Sequence, residues 1–340
     1  MKKGSMWDVI GDNVFFRELN PQNPDLVPID VVLYRLNLDH VPRKKDPEYP
    51  QVISCYLNLL GDFDRVLFLG DTLLNDRTFA KNLIALGEYE VVAVITRQNE
   101  DEFELKEEDG ILFSNRWSFI RELPDFLKKR GFEIDEKTAV ILDIDKTFIG
   151  ARGRNHQSID LARAEAVYRL FKETRNELEF EEFMKIYNKL NSPEFYSLTS
   201  DNQDIVAFLT ILAASNEIEF EMKDIESVAK YAVEKARNER IREFASEIYE
   251  NLKARKATLF PTFRRMEFLT TIEFMDRFDD APPERLLKEE ILITGEIYDT
   301  FNYTLATVIA LTDKPEASSL PPEGSSLPPV HKKTAKIWGE

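Results

Sequence analysis

The spacing of hydrophobic residues changes character partway along this chain. Before residue 150, short continuous apolar runs alternate with stretches of helical period. Val66-Leu67-Phe68-Leu69, Val91-Val92-Ala93-Val94-Ile95 and Ala139-Val140-Ile141-Leu142 are bounded by charge or glycine. That is the pattern of strands buried on both faces. Ile111-Leu112-Phe113 reads as a shorter strand, and Val14-Phe15-Phe16 as another. Ile29 to Leu38 alternates and is rich in Val and Tyr, which predicts a further strand. Between the runs, Gln51–Leu60, Arg77–Leu86 and Trp117–Arg130 read as helices.

From Ala151 to Leu287 the period is helical throughout. The expected helices are Ser158–Thr174, Glu181–Leu190, Asn202–Ser215, Lys223–Ala254, Thr262–Phe278 and Pro283–Glu290. Ser158, Asp160, Asp201, Asp204 and Pro282-Pro283 supply starts. The aromatic stripes Phe180/Phe183/Tyr187 and Phe263/Phe268/Phe274 are expected to be core packing. One more strand, Ala306 to Leu311, runs into Thr312, and a Ser/Pro/Gly-rich tail, 316–329, is expected to be loop. Lys336-Ile337-Trp338 is a candidate closing strand.

The polar residues that end the apolar runs carry the chemistry. Ala139–Leu142 stops at Asp143, with Asp145 two positions on. Carboxylates at the end of a buried strand are poorly solvated and require a cation or a proton. In an open α/β sheet the carboxyl ends of the strands are also where ligands bind. Val66–Leu69 runs into Gly70-Asp71, with Asp76 shortly after. Lys44 lies in Pro42-Arg43-Lys44-Lys45-Asp46-Pro47-Glu48, ahead of a helix.

These residues resemble the motifs of the haloacid dehalogenase superfamily, whose members are mostly phosphatases with an aspartate nucleophile and Mg²⁺. Asp143-Ile144-Asp145-Lys146-Thr147 is similar to motif I, though Lys146 stands where glycine is common. Lys44-Lys45-Asp46-Pro47-Glu48 resembles motif III, with Lys45 the rival lysine. Gly70-Asp71 with Asp76 resembles motif IV. Leu311-Thr312-Asp313-Lys314-Pro315 resembles motif II, where Asp313 replaces an Asn. Ile291-Leu292-Ile293-Thr294-Gly295 is a competing motif II, although Thr294 also reads as the cap of a helix Gly295–Leu305.

The motifs run III, IV, I, II, the family order rotated as in a circular permutation. Such rotation is tolerated where termini lie close together, so the C-terminal strand is expected near the N-terminal segment. The resemblance implies an α/β, Rossmannoid, three-layer core with a mainly parallel sheet, formed by 1–150 and 288–340. It also implies an all-helical C1-type cap, 151–287. Asp143 is then the nucleophile, Asp145 the acid and base, and Lys44 and Thr312 hold phosphoryl oxygens. Mg²⁺ is bound by Asp143, the Asp145 carbonyl and Asp71, with Asp76 behind them. The substrate implied is a small phosphorylated metabolite. A phosphotransferase or mutase, or a non-catalytic binding protein of the same fold, are the alternatives. For Asp143 and Asp145 to take different roles, the backbone must turn at Ile144, since a straight strand points both side chains alike.

Composition narrows the partners. The formal charge of −17 over 340 residues argues against nucleic acid or an anionic membrane. The single cysteine, Cys55, excludes an intrachain disulfide and a Cys-based zinc site, and is expected to be a buried helical thiol. His40, His156 and His331 are too scattered for a metal cluster. Arg152, Arg154 and His156 lie just after Asp145 and are candidates to meet an anionic substrate. No signal peptide and no apolar run near about 18 residues is read, so a soluble, cytoplasmic protein is expected.

Overall fold

The computed structural model describes residues 13–99, 101–148, 151–153, 156–216, 224–256, 258–267, 269–270, 300–301 and 305–312. The chain divides into two compact units, Met1–Gln157 with Asp280–Glu340, and Ser158–Asp279.

The first unit is α/β. Its strands are β1 (Val14–Phe16), β2 (Asn20–Pro21), β3 (Arg65–Gly70), β4 (Glu90–Thr96), β5 (Leu105–Glu108), β6 (Ile111–Ser114), β7 (Thr138–Asp143) and β8 (Thr307–Leu311). They form one sheet in the order β2-β1-β8-β7-β3-β4-β6-β5, parallel from β1 to β6 with an antiparallel strand at each edge. β8 pairs with β1, Val14 opposite Ala310, which brings the C-terminal strand beside the N-terminal one. The strands bury both faces because their side chains alternate between two cores. Val66, Phe68, Ala93, Ile95, Ala139 and Ile141 pack on one face with α1 (Ile29–Leu36), α2 (Tyr49–Leu60) and α3 (Asp76–Leu86). Leu67, Leu69, Val94, Val140 and Leu142 pack on the other with Trp117, Phe119 and Leu127.

Two expectations are corrected in this unit, and one strand is added. Ile29 to Leu38, expected as a strand, forms α1. Pro28 precedes it, Asn37 caps it with φ 55, and Ile29, Val32 and Leu33 are its buried residues. Burial at helical spacing overrides the β propensity of Val and Tyr. Tyr34 and Val31, which an alternating strand would share between faces, are exposed instead. Trp117–Arg130 is not one helix but a 3₁₀ turn, Trp117–Arg121, followed by α4, Leu123–Lys128. Pro124 lies in the first turn of α4, where its missing N–H is harmless and an uninterrupted helix would have required it. β5 was not foreseen, because Leu105-Lys-Glu-Glu is a solvated edge with no apolar pattern.

The second unit is helical: α5 (Gln157–Glu173), α6 (Phe180–Leu190), α7 (Tyr196–Thr199), α8 (Gln203–Ser215), α9 (Ile225–Lys235) and α10 (Glu239–Lys253) are followed by a helical stretch from 261. The expected helix Lys223–Ala254 is two helices. Asn238 breaks it, its side chain accepting from Ile241 N at 3.3 Å to start α10. Phe183, Tyr187 and Phe263 are buried in this unit's core, as packing requires, and Phe180 stacks edge-on to Tyr168. A charged network lies inside the same core. Arg163 donates to Glu267 at 2.6 Å, and Arg264 to Glu267 at 3.0 Å and to Asp204. Asp204 also accepts from the Leu259 and Phe260 amides at 2.7 and 3.1 Å. Cys55 sits on α2, half-buried rather than buried.

No helix among the described residues is long and apolar enough to cross a membrane. The expected helix Pro283–Glu290, Thr294 with its rival motif, most of Gly295–Leu305, Asp313–Pro315, Phe268, Phe274, Arg154, His331 and everything after 312 lie outside the described residues.

Candidate active site

The site is assembled where β7, β3 and β8 end side by side. Asp143 is the last residue of β7, opposite Leu311 of β8. The chain then turns: Ile144 N donates to Leu311 O at 2.9 Å and Lys146 takes φ 67. That is the left-handed region, at a cost of roughly 1 kcal/mol for a side-chain-bearing residue. The turn separates the two acids. Asp143 faces Lys44, while Asp145 Oδ2 accepts from Thr312 Oγ1 at 3.0 Å.

β3 delivers the next acid. Asp71 follows Gly70 and is 3% exposed. Asp76 opens α3 and folds back over the turn. Its Oδ2 accepts from Asp71 N at 3.0 Å, Thr72 N at 2.8 Å and Thr72 Oγ1 at 2.7 Å, and its own amide donates to Thr72 Oγ1 at 3.0 Å. This closeness explains Gly70. A Cβ there would lie 2.6 Å from the Asp76 Cβ and 2.7 Å from its Cγ.

Lys44 arrives from a turn pinned by Asp46, whose carboxylate accepts from Arg43 N at 2.7 Å. Its ammonium lies 2.6 Å from Asp143 Oδ1, pairs with Asp76 Oδ1, and sits 5.4 Å above the Phe68 ring. Lys45 offers a backbone carbonyl to Asn82 at 3.2 Å. Of the two lysines, the structure brings Lys44 among the acids.

Two further residues complete the cluster. Thr147 Oγ1 lies 3.3 Å from Asp143 Oδ2 and 3.4 Å from Asp71 Oδ1. The Arg152 guanidinium pairs with Asp71 Oδ2. Thr147 was visible as the end of its motif without a role. Arg152 was considered only as a contact for substrate, because nothing in the spacing links position 152 to position 71. His40 is a half-buried neighbour of Asp39, and His156 accepts from Gly153 N at 3.0 Å; neither joins the cluster.

The electrostatics show a shortage of positive charge. Burial pushes the Asp143 carboxyl well above the usual carboxylate range, with Asp76 and Asp71 adding to it and Lys44 opposing. Burial and the Asp76 charge push Asp71 up to about 6, against Arg152 and Lys44. Burial works on Asp76 too, but Lys44 and the Thr72 hydrogen bonds outweigh it and hold this group below its ordinary value. For Lys44, the charges of Asp143 and Asp76 outweigh burial and hold the ammonium well above its ordinary value.

The donor set fits a hard divalent cation. Carboxylate oxygens of Asp71, Asp76 and Asp143 lie within 4.8 Å of one another, and among the described residues no His or Cys joins the group. Asp76 spends both oxygens on Lys44 and the Thr72 turn. Asp143 Oδ2 and Asp71 Oδ1 share the long contacts of one hydroxyl, that of Thr147. These two carboxylates would hold the ion, and Asp76 would orient what surrounds it.

Comparison with known proteins finds no family model, no curated protein and no solved structure that matches this chain.

Proposed function

We propose that this chain is a Mg²⁺-dependent phosphatase of the haloacid dehalogenase type, acting on a small phosphorylated metabolite through an aspartyl-phosphate intermediate. One observation carries the reading. Lys44, Asp71, Asp76, Asp143, Asp145 and Thr312 come from four separate segments, and they meet at the carboxyl ends of three adjacent parallel strands. Each of the family's motifs is then represented once, in spite of the rotated order.

The chemistry follows from the contacts. The Asp143 carboxylate attacks phosphorus, and the bond to the leaving oxygen breaks as Asp145 gives that oxygen its proton. Asp145, now ionised, takes a proton from a water whose oxygen attacks the same phosphorus. The bond to Asp143 then breaks and inorganic phosphate leaves. Lys44, already 2.6 Å from Asp143, opposes the burial that disfavours the charged carboxylate and sits where phosphoryl charge develops. Thr312 orients Asp145 between its two proton transfers. Asp143 and Asp71 would hold Mg²⁺, which would supply positive charge beside the phosphoryl oxygens. The helical unit Ser158–Asp279 corresponds on this reading to the cap that selects the substrate.

Hydrolysis of a generic aryl phosphate with and without Mg²⁺ tests the proposal. Turnover that needs Mg²⁺ and disappears in Asp143→Asn is the expected result. If wild type neither turns over nor holds beryllofluoride at Asp143 in the presence of Mg²⁺, the proposal is wrong.

A further inference from the structure

Arg152 stands out within the cluster, because it spends its charge on a carboxylate that a cation would also claim. Its backbone is held from several directions. Arg152 N donates to Lys146 O at 2.8 Å, and its carbonyl accepts from Gln98 N at 3.1 Å and from Trp117 Nε1 at 2.9 Å. Ala151 before it is buried, and Gly153 after it has φ 87 and lies so close to the Gln98 carbonyl that a Cβ would overlap it. From this anchored backbone the Arg152 guanidinium reaches Asp71.

Charge counting then has a consequence. Among the described residues, the three carboxylates of Asp71, Asp76 and Asp143 pair with two basic groups, Lys44 and Arg152, and with all three ionised one negative charge is left over. A divalent cation entering alone turns that deficit into an excess and meets two fixed positive charges at close range. A phosphoryl dianion entering with it restores the original balance and gives both basic groups a partner.

Resting on the cation site proposed above, we infer that Arg152 couples the two ligands: tethered at Asp71, it opposes the divalent cation alone and favours cation and phosphoryl anion together. Arg152 acts here as a positioning residue. Its charge on Asp71 sets how strongly the cation is held before phosphate arrives, and by reciprocity how strongly phosphate is held once the cation is there.

The test is direct binding of Mn²⁺ at pH 8.5, followed by the electron paramagnetic resonance signal of the free ion, with and without inorganic phosphate. The high pH keeps Asp71 ionised when its basic partner is removed. In wild type, phosphate is expected to tighten Mn²⁺ binding by about tenfold or more, a lower bound set by a unit charge about 4 Å from a divalent ion at the dielectric of bulk water. Arg152→Gln should bind Mn²⁺ alone about tenfold more tightly than wild type and lose most of the phosphate effect. Arg152→Lys, which keeps the charge, should restore that effect.

Wild-type Mn²⁺ binding that ignores phosphate overturns the inference without any variant. So does an Arg152→Gln protein of unchanged circular dichroism that binds Mn²⁺ no more tightly and keeps the full phosphate effect. Failure of the underlying reading looks different: either no Mn²⁺ binds wild type, or Asp71→Asn and Asp143→Asn bind it as wild type does. A cation site that needs both aspartates but is indifferent to Arg152 removes this inference alone.

Discussion

Replacing Lys44 by Met should destabilise the α/β unit and do so more at high pH than at low pH. The ammonium serves two buried carboxylates at once, and its side chain is only 19% exposed against 2% for Asp76 and 15% for Asp143. Removing one partner of a buried ion pair costs about 3–5 kcal/mol, because the remaining charge stays out of water. Methionine keeps the contact with the Phe68 ring, so the lower end, about 3 kcal/mol, is expected at pH 8.

The pH dependence has a definite sign. In wild type the folded pKa of Lys44 is raised, so its contribution is fully present at any pH below the unfolded value and is equal at pH 5.5 and pH 8. Without Lys44, the Asp143 carboxyl, already raised by burial, rises further. Folded protein then binds a proton that unfolded chain has released, and stability falls as pH climbs from the unfolded carboxylate value toward the folded one. Urea unfolding at the two pH values reads this directly. Lys44→Met should recover about 1 kcal/mol or more of its loss at pH 5.5, and adding Asp143→Asn should recover a similar amount at pH 8. A loss below about 1 kcal/mol at pH 8, or equal losses at both values, would refute the argument that the buried charges depend on this lysine.

Gly70→Ala drives a Cβ into Asp76 and should cost about 1–3 kcal/mol while releasing the Asp71 and Thr72 amides. Calorimetric titration should then show Mg²⁺ binding weakened, and an alanine variant as stable and as competent as wild type contradicts the packing. In the helical unit, Asp204→Ala strands the Leu259 and Phe260 amides and half of the charge on Arg264. A loss of about 3–5 kcal/mol is expected by thermal or urea unfolding, and a change within about 0.5 kcal/mol would mean that the network is dispensable.

The strands were legible because they are buried on both faces, and burial on both faces leaves an unbroken apolar run. β3, β4 and β7 all carry that mark. Ile29–Leu38 reads as a strand because its residues satisfy strand propensity and helical spacing together, and the burial of Ile29, Val32 and Leu33 decides for a helix over Ile29–Leu36. Among the candidate residues, Asp143, Asp145, Asp71 and Thr312 announce themselves by following apolar runs. Lys44 and Lys45 are equivalent in sequence, and the turn held by Asp46 separates them.

What the sequence determined by itself is local: the strands buried on both faces, where the chain turns helical, and which polar residues end those strands. Those follow from periodicity and from the chemistry of single residues. What only the tertiary structure decided is which ends meet. Pairing of β7 with β3 and with β8 brings Asp71 and Thr312 to Asp143 and Asp145, although these residues are far apart along the chain. The same pairing sets Arg152 on Asp71, and packing within the helical unit sets Arg264 on Asp204, contacts that no spacing encodes. An ion pair across the fold depends on where two backbones are carried by their own hydrogen bonds and packing, and that position is a property of the whole sheet or bundle.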